Sequence, residues 1–457
     1  YKLSSGLYNW LKTAPKQGRF DNVELALQGQ IHRQPKRKFD RRFELAGDFS
    51  SVEMRYLPEW PVISEAHGRL KVMGQETAVE VVKGQSLGVA FTQATAFVNP
   101  DGIISLDFVA APTAAAALYF IRFSPLQDSL SFVEDDWRTM GDGIIDLTAH
   151  LEVPLARDSA DTTNKQSGTA APVEFNLAKS GIVANLSMQI SAVSIDMPSY
   201  KLAINDITGP ANFSLPHHFQ GQLKASMFGR PALIQSDSDA QWLNIGIDGY
   251  IDADEALNLM SVDAPSILRG ETEFSSQLNL SMGGNISNLV VNTDLVGMQV
   301  NLPAEFGKTS DAAEASEFVI TFLPAVQQVG WQYKSTNGWL RLPSGSQEIS
   351  SGNELLGRVG ISALPQGFNQ TLEGFEVSGQ MPLLDIDDWV SDDGEATFDL
   401  PFDWRINQLN IDELVVGEFA FQDVQLGGRR QAEELVFDLS SEEIIGRIDL
   451  TDRQVLG

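Results

Sequence analysis

One serine lies in a pattern that hydrolases use for a nucleophile. Gly84-Gln-Ser86-Leu-Gly88 fits G-x-S-x-G, in which a strained turn between a strand and a helix exposes the serine hydroxyl. The residues before it, "AVEVV", alternate like a strand, but the residues after it, "VAFTQATAFV", alternate like a second strand. No His-Gly-Gly-Gly-type segment provides an oxyanion hole. The pattern favours a hairpin turn, and a serine hydrolase using Ser86 is the less favoured alternative.

The histidines and acidic runs do not match metal-binding patterns. His217 and His218 follow Pro216 in a predicted turn, and no third ligand stands at a useful spacing. The run "DIDDWVSDDGE" lacks the spacing of a calcium loop. The chain has no Cys, which excludes thiol catalysis, Cys-ligated zinc and disulfides. We therefore predict no catalytic residue, no metal and no cofactor.

Charge and hydropathy exclude further classes. The 32 basic and 61 acidic residues give a net charge of −29, and such a surface repels nucleic acid. The most apolar stretch, residues 109–121, is too short for a membrane span and contains a proline. No signal peptide is visible. Because the chain begins on Tyr1 and ends on Gly457 within an apparent strand, we expect a fragment of a longer chain whose membrane anchor lies elsewhere.

Alternating apolar residues are the main structural signal. Short helices are predicted at 7–14, 111–123, 254–260 and 383–390, and a polar flexible loop at 156–171. Asn, Ser, Gln, Lys and Asp occupy the other positions of the strands, as in a sheet covered on one side. The candidate binding residues share the apolar phase of this alternation: Ile182, Leu186, Met188, Ile190, Phe213, Leu215, Leu243, Ile245, Ile247, Leu278, Leu280, Met282, Leu289, Val291 and Leu295.

A sheet with one apolar face has to cover that face. It can close into a barrel, stack on another sheet, or curl around an apolar ligand. Exposing one methylene to water costs about 0.8 kcal/mol, so a lipid tail of about sixteen carbons costs about 13 kcal/mol. The pattern predicts a mainly β fold: an elongated, curled, taco-like antiparallel sheet enclosing an apolar groove, continuous over residues 1–457. The alternative is a β-rich structural or adhesive module with a closed, dry core.

Several short motifs occur in the order found in a known family. They are "YLPEWPVI" at 56–63, "GRLKV" at 68–72, "MFGRP" at 227–231, "VNLPAEFGK" at 300–308 and "LNIDELVVG" at 409–417. Together they resemble YhdP-like proteins of the AsmA-like superfamily, which are similar to bridge-like lipid transport proteins. The resemblance covers essentially the whole chain, and residues 380–457 resemble the AsmA-type C-terminal repeat.

The resemblance implies a function without catalysis. It implies phospholipid transport from the inner to the outer membrane of a Gram-negative bacterium, through a periplasmic apolar groove. The expected partners are phospholipid acyl chains, and membranes reached through parts of the longer chain, which is anchored in the inner membrane. Trp60 and Pro61 then form a structural turn that ends one strand and redirects the next, since proline cannot donate to the ladder.

Overall fold

The structure of the chain is a computed structural model, and most of the residues in it are described. The described residues are 12, 15–29, 41–55, 59–74, 76–99, 103–130, 133, 135–154, 183–198, 202–214, 218–238, 242–259, 267–281, 287–322, 326–343, 356–362, 374–389, 403–431 and 434–451. The predicted loop at 156–171 lies outside them.

Strands form nearly all of the regular structure, as the alternation predicts. The first twelve are β1 Pro15–Gly29, β2 Arg41–Met54, β3 Ile63–Met73, β4 Glu76–Ser86, β5 Val89–Val98, β6 Ile103–Ala110, β7 Arg138–Met140, β8 Ile144–Pro154, β9 Val183–Met197, β10 Leu202–Ser214, β11 His218–Met227 and β12 Arg230–Ser238. The others are β13 Trp242–Asp252, β14 Leu268–Ser281, β15 Ser287–Thr293, β16 Met298–Val300, β17 Ser316–Phe322, β18 Val326–Tyr333, β19 Thr336–Pro343, β20 Leu356–Ile361, β21 Phe375–Asp385, β22 Trp404–Val416, β23 Phe419–Gln431, β24 Glu434–Ser440 and β25 Ile445–Thr451.

The helices in the described part are short. They are α1 Ala114–Arg122, α2 Leu126–Ser129 and α3 Ala253–Leu259, with 3-10 turns at Ala304–Phe306 and Ile386–Trp389. The predictions at 111–123 and 254–260 are therefore confirmed. The helix predicted at 383–390 is wrong, because β21 continues to Asp385 by pairing with β22 and only a 3-10 turn follows. Tertiary pairing has overridden the local pattern there.

The strands pair in chain order to form one long sheet. Neighbours along the chain pair from β1 to β6, from β8 to β15 and from β17 to β25, and β6–β8 and β15–β17 join these blocks. The one-to-one pairing in chain order is interrupted at two places. Strands β7 and β8 both pair with β9, and β15 and β16 both pair with β14. Of the pairings seen, β20–β21 and β21–β22 are parallel and the rest are antiparallel. The mainly β, mostly antiparallel prediction is confirmed.

The sheet is open and extended. No pairing among the described strands joins β1 to β25, and the sheet is not strongly curled. The chain exposes 28137 Å² to solvent. A compact monomer of 50.0 kDa exposes about 17,000 Å². The predicted elongation agrees with this surface, whereas the predicted enclosing curl is not seen.

β-Bulges bend several of the longer strands. Asn22, Ser51, Glu65, Ala192 and Asp206 have positive φ, and each lies at a shift in strand register. The extra residue of a bulge reverses the alternation and increases the local bend. The apolar side of β9 thus passes from even-numbered residues before Ala192 to odd-numbered residues after it.

Candidate functional site

An apolar row crosses most of the sheet. Its members lie directly opposite one another on 20 successive strands, so the row is about 90 Å long at about 4.8 Å per strand. We call it the apolar row, and the side of the sheet that carries it the apolar face. Its members are Gly84, Phe91, Ala110, Leu147, Met188, Ala211, Gly221, Ser236, Ile245, Leu278, Leu289, Ile320, Val329, Leu340, Gly357, Phe375, Trp404, Arg430, Leu435 and Leu450. Ser236 and Arg430 are its polar members.

The opposite side of the sheet, the polar face, has a different composition. One of its rows runs Thr148, Ser187, Asn212 and Gln220 on four successive strands. In a neighbouring row, His150 Nδ1 lies 2.7 Å from Asp107 Oδ1. The two faces therefore offer different chemistry: one is mostly hydrocarbon and the other is mostly polar.

Eleven of the fifteen candidate residues lie together on the apolar face. They are Leu186, Met188, Ile190, Phe213, Leu243, Ile245, Ile247, Leu278, Leu280, Leu289 and Val291. Leu295 is placed differently: it follows β15, is buried, and packs with Ala253 and Met298. Ile182, Leu215 and Met282 lie outside the described residues.

Further residues extend this face on both sides of the candidates. Towards the N-terminus a row two positions from the apolar row, beyond the row of Phe108 and Ala149, contains Leu70, Val79, Ala96, Leu106 and Leu151. Their alternation is visible in the sequence, but it does not show which strands are neighbours. The register between strands was needed to join them to the predicted group.

Trp60 lies in an apolar cluster on this face. It is 9% exposed, and its ring centroid is 6.4 Å from that of Phe120 in α1. Ala184, Leu186 and Phe213, from β9 and β10, belong to the same cluster. The turn that carries Trp60 and the half-buried Pro61, together with α1, therefore covers part of the face near β8–β10.

Residues 294–310, here called the brace, cover a second part. Phe306 of the brace is 7% exposed and packs with Ile361, Met381 and Leu384. The buried side chain of Lys308 binds the backbone of this segment. Its Nζ donates to the carbonyls of Leu295 at 2.7 Å, Met298 at 2.8 Å and Thr309 at 2.9 Å. Burial lowers the pKa of Lys308, while Asp294 and Asp311 partly oppose the shift.

The β18–β19 hairpin holds the brace from the other side. Lys334 Nζ donates to the carbonyls of Glu305 and Gly307. The hydroxyl of Tyr333 donates to the Phe306 carbonyl at 2.9 Å. Burial, with a further contribution from Glu314, raises the pKa of Tyr333 to about 12. These contacts fix Phe306 on the apolar face.

The G-x-S-x-G motif forms a hairpin, as predicted. Ser86 pairs with Val89, and the two residues between them, Leu87 and Gly88, both have positive φ. This is the geometry of a type I′ turn between two strands, whereas a nucleophile elbow needs a helix after the serine. Ser86 is 7% exposed and its Oγ has no hydrogen-bond partner among the described residues. The described part also contains no group of three or more potential His, Cys, Asp or Glu metal ligands.

These features define an elongated β-sheet protein with one long apolar face. The chain matches the family model described as YhdP protein over residues 1–456, so it belongs to the YhdP family. This family is linked to bridge-like lipid transport and is generally non-enzymatic. Membership of the family implies a location in the cell envelope. No curated protein and no solved structure matches significantly. Within the described ranges, no helix has the length and hydropathy of a membrane span.

Proposed function

We propose that this chain carries phospholipid between the inner and outer membranes without catalysis, with the acyl chains on the apolar face. The observation that supports this most is the apolar row, in which 18 of 20 successive strands contribute an apolar residue or glycine. A packed domain core has no need of a hydrocarbon surface about 90 Å long. A route for lipid tails across the periplasm requires one.

The exposure of the apolar face fits a surface that receives a ligand. Met188, Ile245 and Leu278 are half-buried, so part of each side chain is available for contact. An acyl chain on such a surface avoids about 0.8 kcal/mol for each methylene it keeps from water. Curling of the sheet into a groove around the bound chains is part of this proposal. An inner-membrane anchor and contacts with both membranes, which deliver and receive the lipid, are also part of this proposal.

The first test is mass spectrometry of an organic extract of the purified chain. A soluble protein of similar net charge, purified in the same way, is the control. We expect phospholipid in the extract of the chain and none in the control. An extract free of lipid, from protein whose circular dichroism shows a folded sheet, contradicts the proposal and favours a dry structural module.

Charges on the apolar face should abolish lipid binding. The triple variant Leu186→Asp, Ile245→Asp and Leu280→Asp puts carboxylates on β9, β13 and β14. Burying an unpaired carboxylate beside hydrocarbon is unfavourable by several kcal/mol, so we expect at least about a tenfold loss of bound phospholipid.

A matched triple variant adds the same charge to the polar face. Ser187→Asp, Gln222→Asp and Gln277→Asp change exposed residues whose neighbours across the strands are uncharged. We expect normal lipid content for this variant. Equal loss in both triples would show that net charge, and not the apolar face, controls binding.

A further inference from the structure

Helix α1 has no polar face. Its sequence, "AAAALYFIR", is apolar from Ala114 to Ile121. A helix on a protein surface ordinarily carries charged or polar side chains on its outer side. The outer side of α1 instead exposes a stripe at i, i+4 and i+8: Ala115, Tyr119, which is 48% exposed, and Phe123, which is 59% exposed. We call these three residues the α1 stripe.

The other side of α1 lies against the apolar face. Ala114 is 4% exposed and packs in a cluster with Val193 and Ile207 of β9 and β10. Phe120 packs with Trp60 in the cluster that includes Ala184. The helix therefore sits on the apolar face, and the α1 stripe points away from the strands beneath it.

The two aromatic residues of the stripe form one surface. The ring centroids of Tyr119 and Phe123 are 4.5 Å apart, with the rings tilted by 43°. Arg122, next to them in the chain, donates from Nη2 to the Trp137 carbonyl at 2.7 Å. The three residues of the α1 stripe are themselves uncharged, and two of them are aromatic.

We propose that the α1 stripe is an acyl-chain binding site, at which a lipid tail passes over the helix that covers the face near β8–β10. This inference rests on the proposed function, because it takes the apolar face as the path of the lipid. The turn of Trp60 and helix α1 occupy the sheet surface there, so the continuous apolar path leads over the outer side of α1.

The size and charge of the stripe select a lipid tail. A buried aromatic side chain contributes about 150–250 Å², so two half-exposed rings offer about 200 Å². A stable protein interface needs about 800 Å² on each partner, so the stripe is too small for a protein. With no charge it cannot hold a phosphate headgroup, whereas a hydrocarbon tail gains from contact with both rings.

Photocrosslinking to lipid tests this site. We place p-benzoylphenylalanine at Tyr119 or Phe123 and irradiate the full chain with vesicles of equimolar phosphatidylethanolamine and phosphatidylglycerol. The same residue at Ile245 reports on the apolar face itself. Phe97 and Tyr250 are matched controls, since both are aromatic, both are 42% exposed, and their strand positions place them on the polar face. Adducts are measured by mass spectrometry.

We expect phospholipid adducts at Tyr119, Phe123 and Ile245 and none at Phe97 or Tyr250. Adducts at Ile245 without adducts at the stripe overturn this inference and leave the proposed function standing. Adducts at none of the three positions overturn both. Equal labelling of the polar-face controls overturns the inference as well, because the stripe would then have no preference for lipid.

A second measurement does not depend on the photoreactive residue. Tyr119→Gln with Phe123→Gln keeps the stripe exposed but makes it polar, so retained phospholipid should fall at least about fivefold. Phe97→Gln with Tyr250→Gln should leave retention unchanged. Normal retention by the stripe variant, with its fold intact, contradicts the site.

Discussion

The long strands near the middle of the chain and the short strands that follow them form the same apolar face in different ways. Strands β9 and β10 have 15 and 13 residues, whereas β17 to β20 have 7, 8, 8 and 6. At about 3.3 Å per residue, the first pair is about 45 Å long and the second group about 20–26 Å. Bulges bend β9 and β10, while the pairings from β17 to β20 contain no register shift. The width of the apolar face therefore depends on the bulges as well as on strand length.

Each region adds a different covering element to the sheet. Over the long strands, Trp60 and Phe120 pack on β9 and β10. Beside the short strands, the brace extends the apolar surface, with Phe306 packed on the end of β20 and on β21. Both elements place an aromatic ring on the apolar face. The first rests on the sheet through apolar contacts and is joined to the residue before β8 by the Ala114 N–H, which donates to the Gly143 carbonyl at 2.8 Å. The backbone of the second is bound by two lysines and a tyrosine.

The largest expected effect compares a glycine in β3, which is bulged like β9 and β10, with a glycine in β18, a short strand without a register shift. In bent β3, a Cβ added at Gly68 would lie 1.9 Å from the Glu80 carbonyl oxygen and 2.7 Å from Phe49 Cζ. Gly68→Ala must displace β4 or the Phe49 ring, so we expect a loss of about 3 kcal/mol in the free energy of unfolding. Urea denaturation followed by circular dichroism measures it.

Gly330→Ala in β18 is the matched change among the short strands. The nearest atoms to its added Cβ are carbonyl oxygens at 3.7 Å, an ordinary contact. Alanine also restricts the unfolded chain, so we expect a gain of up to about 0.5 kcal/mol. Equal losses at Gly68 and Gly330 would mean that close approach of the neighbouring strand is not what distinguishes bulged from unbulged strands.

A large part of this fold could be predicted from sequence. Alternation identified strands such as β9, β13 and β14 and placed eleven candidates on one face, because side-chain direction in a strand has a period of two. The bulge at Ala192 was not visible, since an alanine with positive φ leaves no signal in composition. Leu295 was misplaced for a related reason. The alternation continued past Thr293, but the strand is interrupted there and the chain turns into the brace.

The parts that depend on long-range contacts could not be predicted. The role of Lys308 is an example: a lysine after "AEFG" gives no sign that it is buried beneath three carbonyls contributed by residues 295–309. The extent of the curl is another. Alternation showed that one face needs a cover, but it contains no information on how far a sheet bends to provide it.

The next effect concerns the side chain that fixes the brace. Lys308→Met keeps the volume of the side chain but leaves the carbonyls of Leu295, Met298 and Thr309 without the ammonium donor. Hydrogen bonds from a charged donor contribute about 1.5–3 kcal/mol, so we expect a loss of about 2–3 kcal/mol. Hydrogen exchange should speed up in residues 294–310 and much less in β9 and β10.

Lys334→Met is the companion variant. This lysine donates to the carbonyls of Glu305 and Gly307 but is more exposed than Lys308, so water can replace it and the loss should be about 1 kcal/mol. Faster exchange spread evenly over the whole sheet in the Lys308 variant would show that the brace is not a separate element. The proposed difference between the cover over β9 and β10 and the brace beside the short strands would then be contradicted.

The last effect is a pH dependence confined to the brace. Tyr333 in the folded chain keeps its proton up to a pKa of about 12, while in the unfolded chain it loses it near 10.0. Between these values the folded state binds more protons, so stability falls as pH rises through this window. The lowered pKa of Lys308 acts with the opposite sign, because there the unfolded state holds the proton and stability rises with pH up to about 10.5.

Tyr333→Phe separates the two contributions, since it removes one titrating group and leaves Lys308 in place. The variant lacks the hydrogen bond to the Phe306 carbonyl, so it should be less stable than the native chain at pH 8. As pH rises from about 10 to about 12, the native chain should lose roughly 1–2 kcal/mol more than the variant, and the difference should narrow. Urea midpoints measured across this range decide the point. A difference that stays constant with pH would mean that the Tyr333 hydroxyl titrates normally, and that the brace does not shield it from water.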